Sequence, residues 1–121
     1  MLSIMPTNDK KLLDKMSNDI FSRHYNGDIG YILYVDEKEA GVAQLSIGET
    51  SAIMAIGILP DYRKKGYGDF FTRSILFRLS QISQKIKINY VDDYYTKFGF
   101  KKKNDYMEID SKDLEFTKTH C

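Results

Sequence analysis

The sequence predicts a mixed α/β fold: a mixed, mostly antiparallel central sheet flanked by helices. Three observations carry that prediction. Three strand-like runs between Ile29 and Leu59 are separated by short polar turns, which implies an antiparallel meander. The last of these runs is followed by a helical pattern and then by another alternating strand, so a parallel crossover is expected. A short helix and a final strand complete the order strand–helix–strand–helix–strand, the order of a mixed sheet.

Taken in order, Leu2-Ser3-Ile4-Met5 predicts a short first strand, ended by Pro6. Thr7, Asn8 or Asp9 can cap the helix that follows. Its apolar face is Leu12, Leu13, Met16 and Ile20, and it runs to Phe21. Residues 23–28 read as a loop with Asn26-Gly27 as its turn. The meander then begins at Ile29, is interrupted by Gly30 and continues from Tyr31 to Val35. Asp36-Glu37-Lys38-Glu39 is a polar turn. Gly41 to Ile47 is the second run, with Val42, Gln44 and Ser46 alternating against Ala43, Leu45 and Ile47. Gly48-Glu49-Thr50-Ser51 is the next turn, and Ala52 to Leu59 is the third run. That run is apolar or small throughout, as expected of a strand covered on both faces. Pro60 cannot donate a ladder hydrogen bond and stops the pairing.

From Asp69 the pattern becomes helical, with Phe71, Ile75, Leu79 and Ile82 marking one face up to Ser83. Phe70 is also assigned to the core. Lys85 to Tyr90 alternates as a strand. Asp92 to Phe98 predicts a short helix closed by Gly99, and Phe100 to Ile109 a last strand. Lys101, Lys102 and Lys103 read as charges guarding a sheet edge. No repeat, linker or low-complexity segment divides the 121 residues, so a single domain over 1–121 is expected.

The net charge of +1 favours neither nucleic acid nor an anionic membrane as a partner. No apolar run is long enough to span a bilayer, and the amino terminus lacks a signal pattern. Cys121 is the only cysteine, which fits a reducing compartment, so the cytoplasm is expected. His24 and His120, far apart and with one terminal thiol, make no metal site.

The most informative stretch lies between the third run and the long helix. Arg63-Lys64-Lys65-Gly66-Tyr67-Gly68 combines three cations with two glycines at a helix start. Helix-opening N–H groups lack internal acceptors and sit at a positive dipole end, and glycine lets a ligand approach the main chain. The expected occupant is a phosphate or pyrophosphate. The spacing excludes a Walker loop, since no Gly-x-x-x-x-Gly-Lys-Ser/Thr occurs. It also excludes a dinucleotide fingerprint, since Phe71 stands where a third small residue belongs.

This loop resembles the Arg/Gln-x-x-Gly-x-Gly/Ala signature of the GNAT superfamily of acyl-CoA-dependent N-acetyltransferases. Tyr95-Thr96-Lys97-Phe98-Gly99-Phe100 resembles the family's Tyr-x-Lys-apolar-Gly-Phe pattern. The resemblance covers roughly residues 29–109. It implies that the main chain of residues 63–68 (Arg63, Lys64, Lys65, Gly66, Tyr67, Gly68) holds the coenzyme A pyrophosphate. Ile56, Gly57 and Ile58 then pair with the pantetheine amides on a strand that splays at a bulge, for which Gly57 is suited. Tyr95 becomes the general acid toward the thiolate, with Tyr94 the exposed one instead should the helix be rotated. Asn89 falls one residue short of the spacing of a family asparagine. The glutamate that some relatives use as general base is replaced by Ala52, and Glu49 is the nearest carboxylate.

The implied activity is transfer of acetyl from acetyl-CoA, as co-substrate and without a metal, to a primary amine of a small molecule, peptide or protein. A main-chain N–H would stabilise the oxyanion and Tyr95 would protonate sulfur. Two other readings stand beside it. One is a non-catalytic acyl-CoA-binding sensor or partner module, motivated by Ala52. The other is a nucleotide-binding interaction domain. A homodimer through strands near the carboxy terminus is compatible with each.

Overall fold

A computed structural model of the chain describes residues 1–25 and 29–116. The Asn26-Gly27 turn, His120 and Cys121 lie outside the described residues. The elements are β1 (Leu2–Thr7), α1 (Lys10–Phe21), β2 (Ile29–Val35), β3 (Lys38–Ser46), β4 (Thr50–Ile58), α2 (Tyr67–Ile82), β5 (Lys85–Ile88), β6 (Lys101–Lys102) and β7 (Met107–Asp110). Short 3-10 helices occupy Pro60–Tyr62, Asp93–Phe98 and Ser111–Asp113. The sheet has seven strands in the order β1-β2-β3-β4-β5-β7-β6. β4 and β5 pair in parallel and every other pair is antiparallel, as the meander and crossover predict.

The two helices cover opposite faces, because neighbouring strand residues point to opposite sides. Ile32 and Val42 pack with Leu13 and Met16 of α1. Leu33, Ala43 and Leu45 pack with Phe71, Ile75, Leu76 and Leu79 of α2. Asp9 caps α1, its side chain accepting from Leu12 N–H at 3.2 Å. Between α1 and β3 the amide of buried Gln44 donates to Ser17 Oγ at 2.7 Å, which satisfies both polar groups.

Several boundaries differ from expectation. β1 continues through Pro6 to Thr7, because β1 is an edge strand and a proline there loses no ladder bond. Gly30 does not interrupt β2; a methyl group on it would overlap Leu13, so the position is bare to admit the α1 side chain. β3 starts at Lys38 because the turn needs only Asp36 and Glu37, both at positive φ (50° and 71°). β4 starts at Thr50, and α2 at Tyr67. β5 stops at Ile88. The expected last strand is a hairpin, β6 and β7, turned at Asn104-Asp105, with Lys101 and Lys102 exposed on the sheet edge. Ile82, 58% exposed, and Phe70, 38% exposed, stand outside the core, whereas Leu76 is buried. Ile82 is the last residue of α2, where the helix ends.

The irregularity in β4 falls at Met54, not at Gly57. Gln44 opposes Ala55 and Leu45 opposes Ile53, leaving Met54 as the extra residue, while Gly57 sits in regular register with Val42. Gly57 is bare for another reason. A Cβ there would lie 2.6 Å from Ile20 Cγ2 and 2.8 Å from Phe21 Cε1, so the end of α1 rests on the strand. Gly57→Ala is therefore expected to destabilise the protein by about 1–3 kcal/mol, the usual cost of overpacking. The midpoint and slope of urea unfolding check it.

Candidate functional site

The site begins where the central strands part. The parallel ladder runs from Thr50 with Lys85 to Ile53 with Ile88 and then ends. One further link, Asn89 N–H to Ile53 C=O at 3.2 Å, closes it. Beyond Ile53, β4 is paired only to β3, through Ala55 to Ile58, and among the described residues no strand pairs its other edge along the cleft where β4 and β5 part. Ile56, Gly57 and Ile58 lie on this single-sided stretch. Asn89 stands at the point of parting, and its side-chain amide donates across to Met54 Sδ at 2.9 Å.

β4 leads through the Pro60–Tyr62 turn into the basic loop. Lys64 adopts φ +64° and Gly66 φ +82°, so the chain is left-handed at two positions within three residues. Gly66 is the cap residue of α2 and offers no side-chain acceptor, and the first helical bond is Phe70 N–H to Gly66 C=O at 3.1 Å. Among the described residues, no acceptor meets the N–H groups of residues 64 to 69. A Cβ at Gly66 would meet nothing within 4 Å, and one at Gly68 only Ile58 Cγ1 at 3.7 Å, so the space over both is open. Gly68 takes no positive φ; what it contributes is closeness. These are the features of an anion cradle.

The three cations differ in placement. Arg63 folds back, its Nε donating to Ile58 C=O at 2.9 Å, and so fixes the exit of β4. Lys64 and Lys65 are exposed. Tyr67 packs its ring against Tyr62 at 6.4 Å between centroids.

Tyr95 lies in the 3-10 helix Asp93–Phe98 and is 3% exposed. Its ring meets Tyr94, Phe100 and Tyr90 edge-on, and its hydroxyl lies 3.2 Å from that of Tyr90. Burial, then the neighbouring Tyr90, pushes the Tyr95 phenol well above its ordinary pKa. Burial also raises Tyr90, against a hydrogen bond from Tyr95 that lowers it.

A cluster outside the sequence-predicted residues ties this helix to the loop. Asp69, three residues past the cap of α2, accepts from Tyr94 Oη at 2.5 Å, Arg73 Nε at 2.7 Å and Lys97 Nζ at 3.2 Å. Lys97 also covers the Tyr94 ring at 4.0 Å. Burial by itself would raise the Asp69 carboxyl, but bonds from Tyr94, Arg73 and Lys97 outweigh it and hold the pKa below the ordinary carboxylate value. Stability gained from a depressed carboxyl is present above the unfolded pKa and disappears as pH falls through the folded one. Wild type is expected to exceed Asp69→Asn in stability above about pH 4, with the gap closing below it. Urea unfolding at a series of pH values checks this. An acid at the first turn of a helix is a local sequence signal that could have flagged Asp69; its partners Tyr94 and Lys97 are too distant in the chain for spacing to reveal.

Neither position considered for a base supplies one here. Ala52 pairs with Ser46 and Lys87 in mid-sheet. Glu49 precedes β4 at the far end of the parallel ladder from the parting, its carbonyl held by the N–H groups of Gln84 and Lys85. A separate cavity of about 790 Å³ lies along the outer side of α2 against Tyr31 and Phe116 and shares no residue with the cleft or the loop.

Comparison with known proteins places the fold. No protein-family model matches the chain, and no curated protein matches it by sequence. Solved structures do. Arabidopsis thaliana Naa50, in complex with the bisubstrate analogue CoA-Ac-MVNAL, aligns with TM-score 0.73 at 18% identity, over 89% of this chain and 97% of that one. The ribosomal-protein-S18-alanine N-acetyltransferase of Escherichia coli aligns with TM-score 0.70 at 14% identity, over 89% and 91%. A GNAT family acetyltransferase of Brucella melitensis in complex with acetyl-CoA aligns with TM-score 0.71 at 14% identity, over 91% and 88%. The chain has the GNAT acetyltransferase fold. Among the described residues, no helix is long and apolar enough to cross a membrane.

Proposed function

We propose that the protein is an acetyltransferase that moves the acetyl group of acetyl-CoA to a primary amine. The observation that carries this reading is the row of N–H groups at residues 64 to 69, without acceptors among the described residues and next to a strand edge that no second strand pairs beyond Ile53, its Ile58 carbonyl held by the Arg63 side chain. The loop amides, with Lys64 and Lys65 beside them, would take the diphosphate. The open edge at Ile56, Gly57 and Ile58 would pair with the pantetheine amides, and Asn89 would line the parting. This holds the thioester at the cleft, where positioning supplies much of the rate. The acceptor amine attacks the thioester carbonyl in its neutral form, and a main-chain N–H on the free edge of β4 would steady the oxyanion. Tyr95 would donate its proton to the departing sulfur. With Ala52 in place of a carboxylate, the nitrogen proton would leave through water.

The acceptor belongs to the class of primary amines on small molecules, peptides or proteins. Neighbours described with a peptide-bearing bisubstrate analogue and as an alanine N-acetyltransferase make protein amino termini a first group to try. The chain would act as a single domain in the cytoplasm, with no nucleic acid or membrane partner. The test is thiol release from acetyl-CoA with a panel of amino-terminal peptides, polyamines and amino acids. Turnover with one acceptor supports the reading. Saturable coenzyme A binding with no turnover would instead favour the non-catalytic sensor, for which Ala52 speaks. Equal thermal stabilisation by ATP and coenzyme A would favour a nucleotide-binding domain.

A further inference from the structure

Tyr95 is almost fully enclosed. It is 3% exposed and is walled in by Tyr94, Phe98 and Phe100. A buried phenol that gives up its proton becomes a desolvated anion, which is costly unless a donor faces it. One donor does. Tyr90 Oη lies 3.2 Å from Tyr95 Oη, the rings meeting edge-on with centroids 6.2 Å apart. Tyr90 is half-buried and comes directly after Asn89, the residue at which β4 and β5 separate. Its hydroxyl can thus face the buried phenol while its own segment borders the cleft. Asp92 and Tyr94 are the other titratable groups that act on the pair, and Tyr94 is committed to Asp69.

We infer that Tyr90 and Tyr95 form a two-phenol relay that carries a proton from solvent to the sulfur of coenzyme A, with Tyr90 as the relay residue that resupplies Tyr95. The inference rests on the acetyl-transfer reading above. As the C–S bond breaks, the Tyr95 O–H gives its proton to sulfur. The Tyr90 O–H passes its proton to the Tyr95 oxygen, and water returns one to Tyr90. The amine nitrogen, on forming the amide bond, releases one proton to water. One proton leaves nitrogen and one reaches sulfur, so the exchange balances with no carboxylate, which is consistent with Ala52.

The test uses the whole chain, acetyl-CoA and hydroxylamine, a small nucleophile that is neutral near pH 7 and needs no shaped acceptor pocket. Tyr90→Phe is expected to lower kcat about tenfold, less than the roughly hundredfold or more usual for a group that transfers the proton directly, since Tyr95 remains. Its affinity for coenzyme A, read by calorimetry, stays at the wild-type value. The rate of the unaltered protein in mixtures of light and heavy water is expected to curve with deuterium fraction, as for two protons moving together, and to become linear in Tyr90→Phe. A purely structural role for Tyr90 would not change that curvature. Wild-type kcat in Tyr90→Phe beside a slow Tyr95→Phe overturns the relay alone. Wild-type kcat in both variants overturns the tyrosine acid, and the relay with it. A linear inventory in the unaltered protein overturns the relay even should the variant fail to fold.

Discussion

Gly68→Glu is expected to weaken coenzyme A binding about a hundredfold while leaving the fold as stable as before, or more so. The position has helical backbone angles, and a Cβ meets only Ile58 Cγ1 at 3.7 Å, an ordinary contact. Removing a glycine from a helix is worth roughly 0.5–1 kcal/mol. An acid in the first turn adds about 0.3–1 kcal/mol through the helix dipole. The same carboxylate would occupy the space over the unaccepted N–H groups and oppose a diphosphate there. Like charges about 4 Å apart near a protein surface repel by about 4 kcal/mol. Screening reduces this, leaving a loss of about a hundredfold in affinity. Calorimetric titration with coenzyme A, beside thermal unfolding without it, separates the two effects. Wild-type affinity in a well-folded variant would mean that the loop does not hold the diphosphate.

Tyr95→Phe is expected to lower kcat about a hundredfold, with little change in the KM for acetyl-CoA. Among the described residues the hydroxyl meets only Tyr90, so its loss should cost about 1 kcal/mol of stability or less, and the ring packing with Tyr94 and Phe100 remains. Steady-state kinetics with the best amine of the panel check it. A large rise in KM with kcat intact would make Tyr95 a binding residue instead.

Local chemistry explains what could be read from the chain. The strand, basic glycine loop and helix are consecutive, so their order follows from spacing alone, although the cap at Gly66 puts the helix start two residues before the expected Asp69. The parallel crossover follows for the same reason. What escaped depends on residues distant in sequence. Gly57 looks like a bulge residue until the end of α1 is seen resting on it. The actual bulge, at Met54, has no sequence mark because any residue can occupy it. The β6–β7 hairpin was signalled by Asn104-Asp105, a pair suited to turns, within a run that otherwise looked continuous. Asp69 and Tyr90 were ordinary residues until the tertiary fold brought Lys97, Tyr94 and Tyr95 beside them.

The short ladder between Thr50–Ile53 and Lys85–Ile88 has a mechanical consequence. It is the only strand pairing that joins the amino-terminal meander to the carboxy-terminal hairpin among the described residues. The width of the parting beyond Ile53 rests on those four pairs and on the single core beneath them, which reaches from Leu33 and Leu45 to Ile86 and Ile109. Altered side-chain bulk at Ile53 or Ile86, both fully enclosed, would therefore be felt as a change of aperture by a guest that neither residue touches.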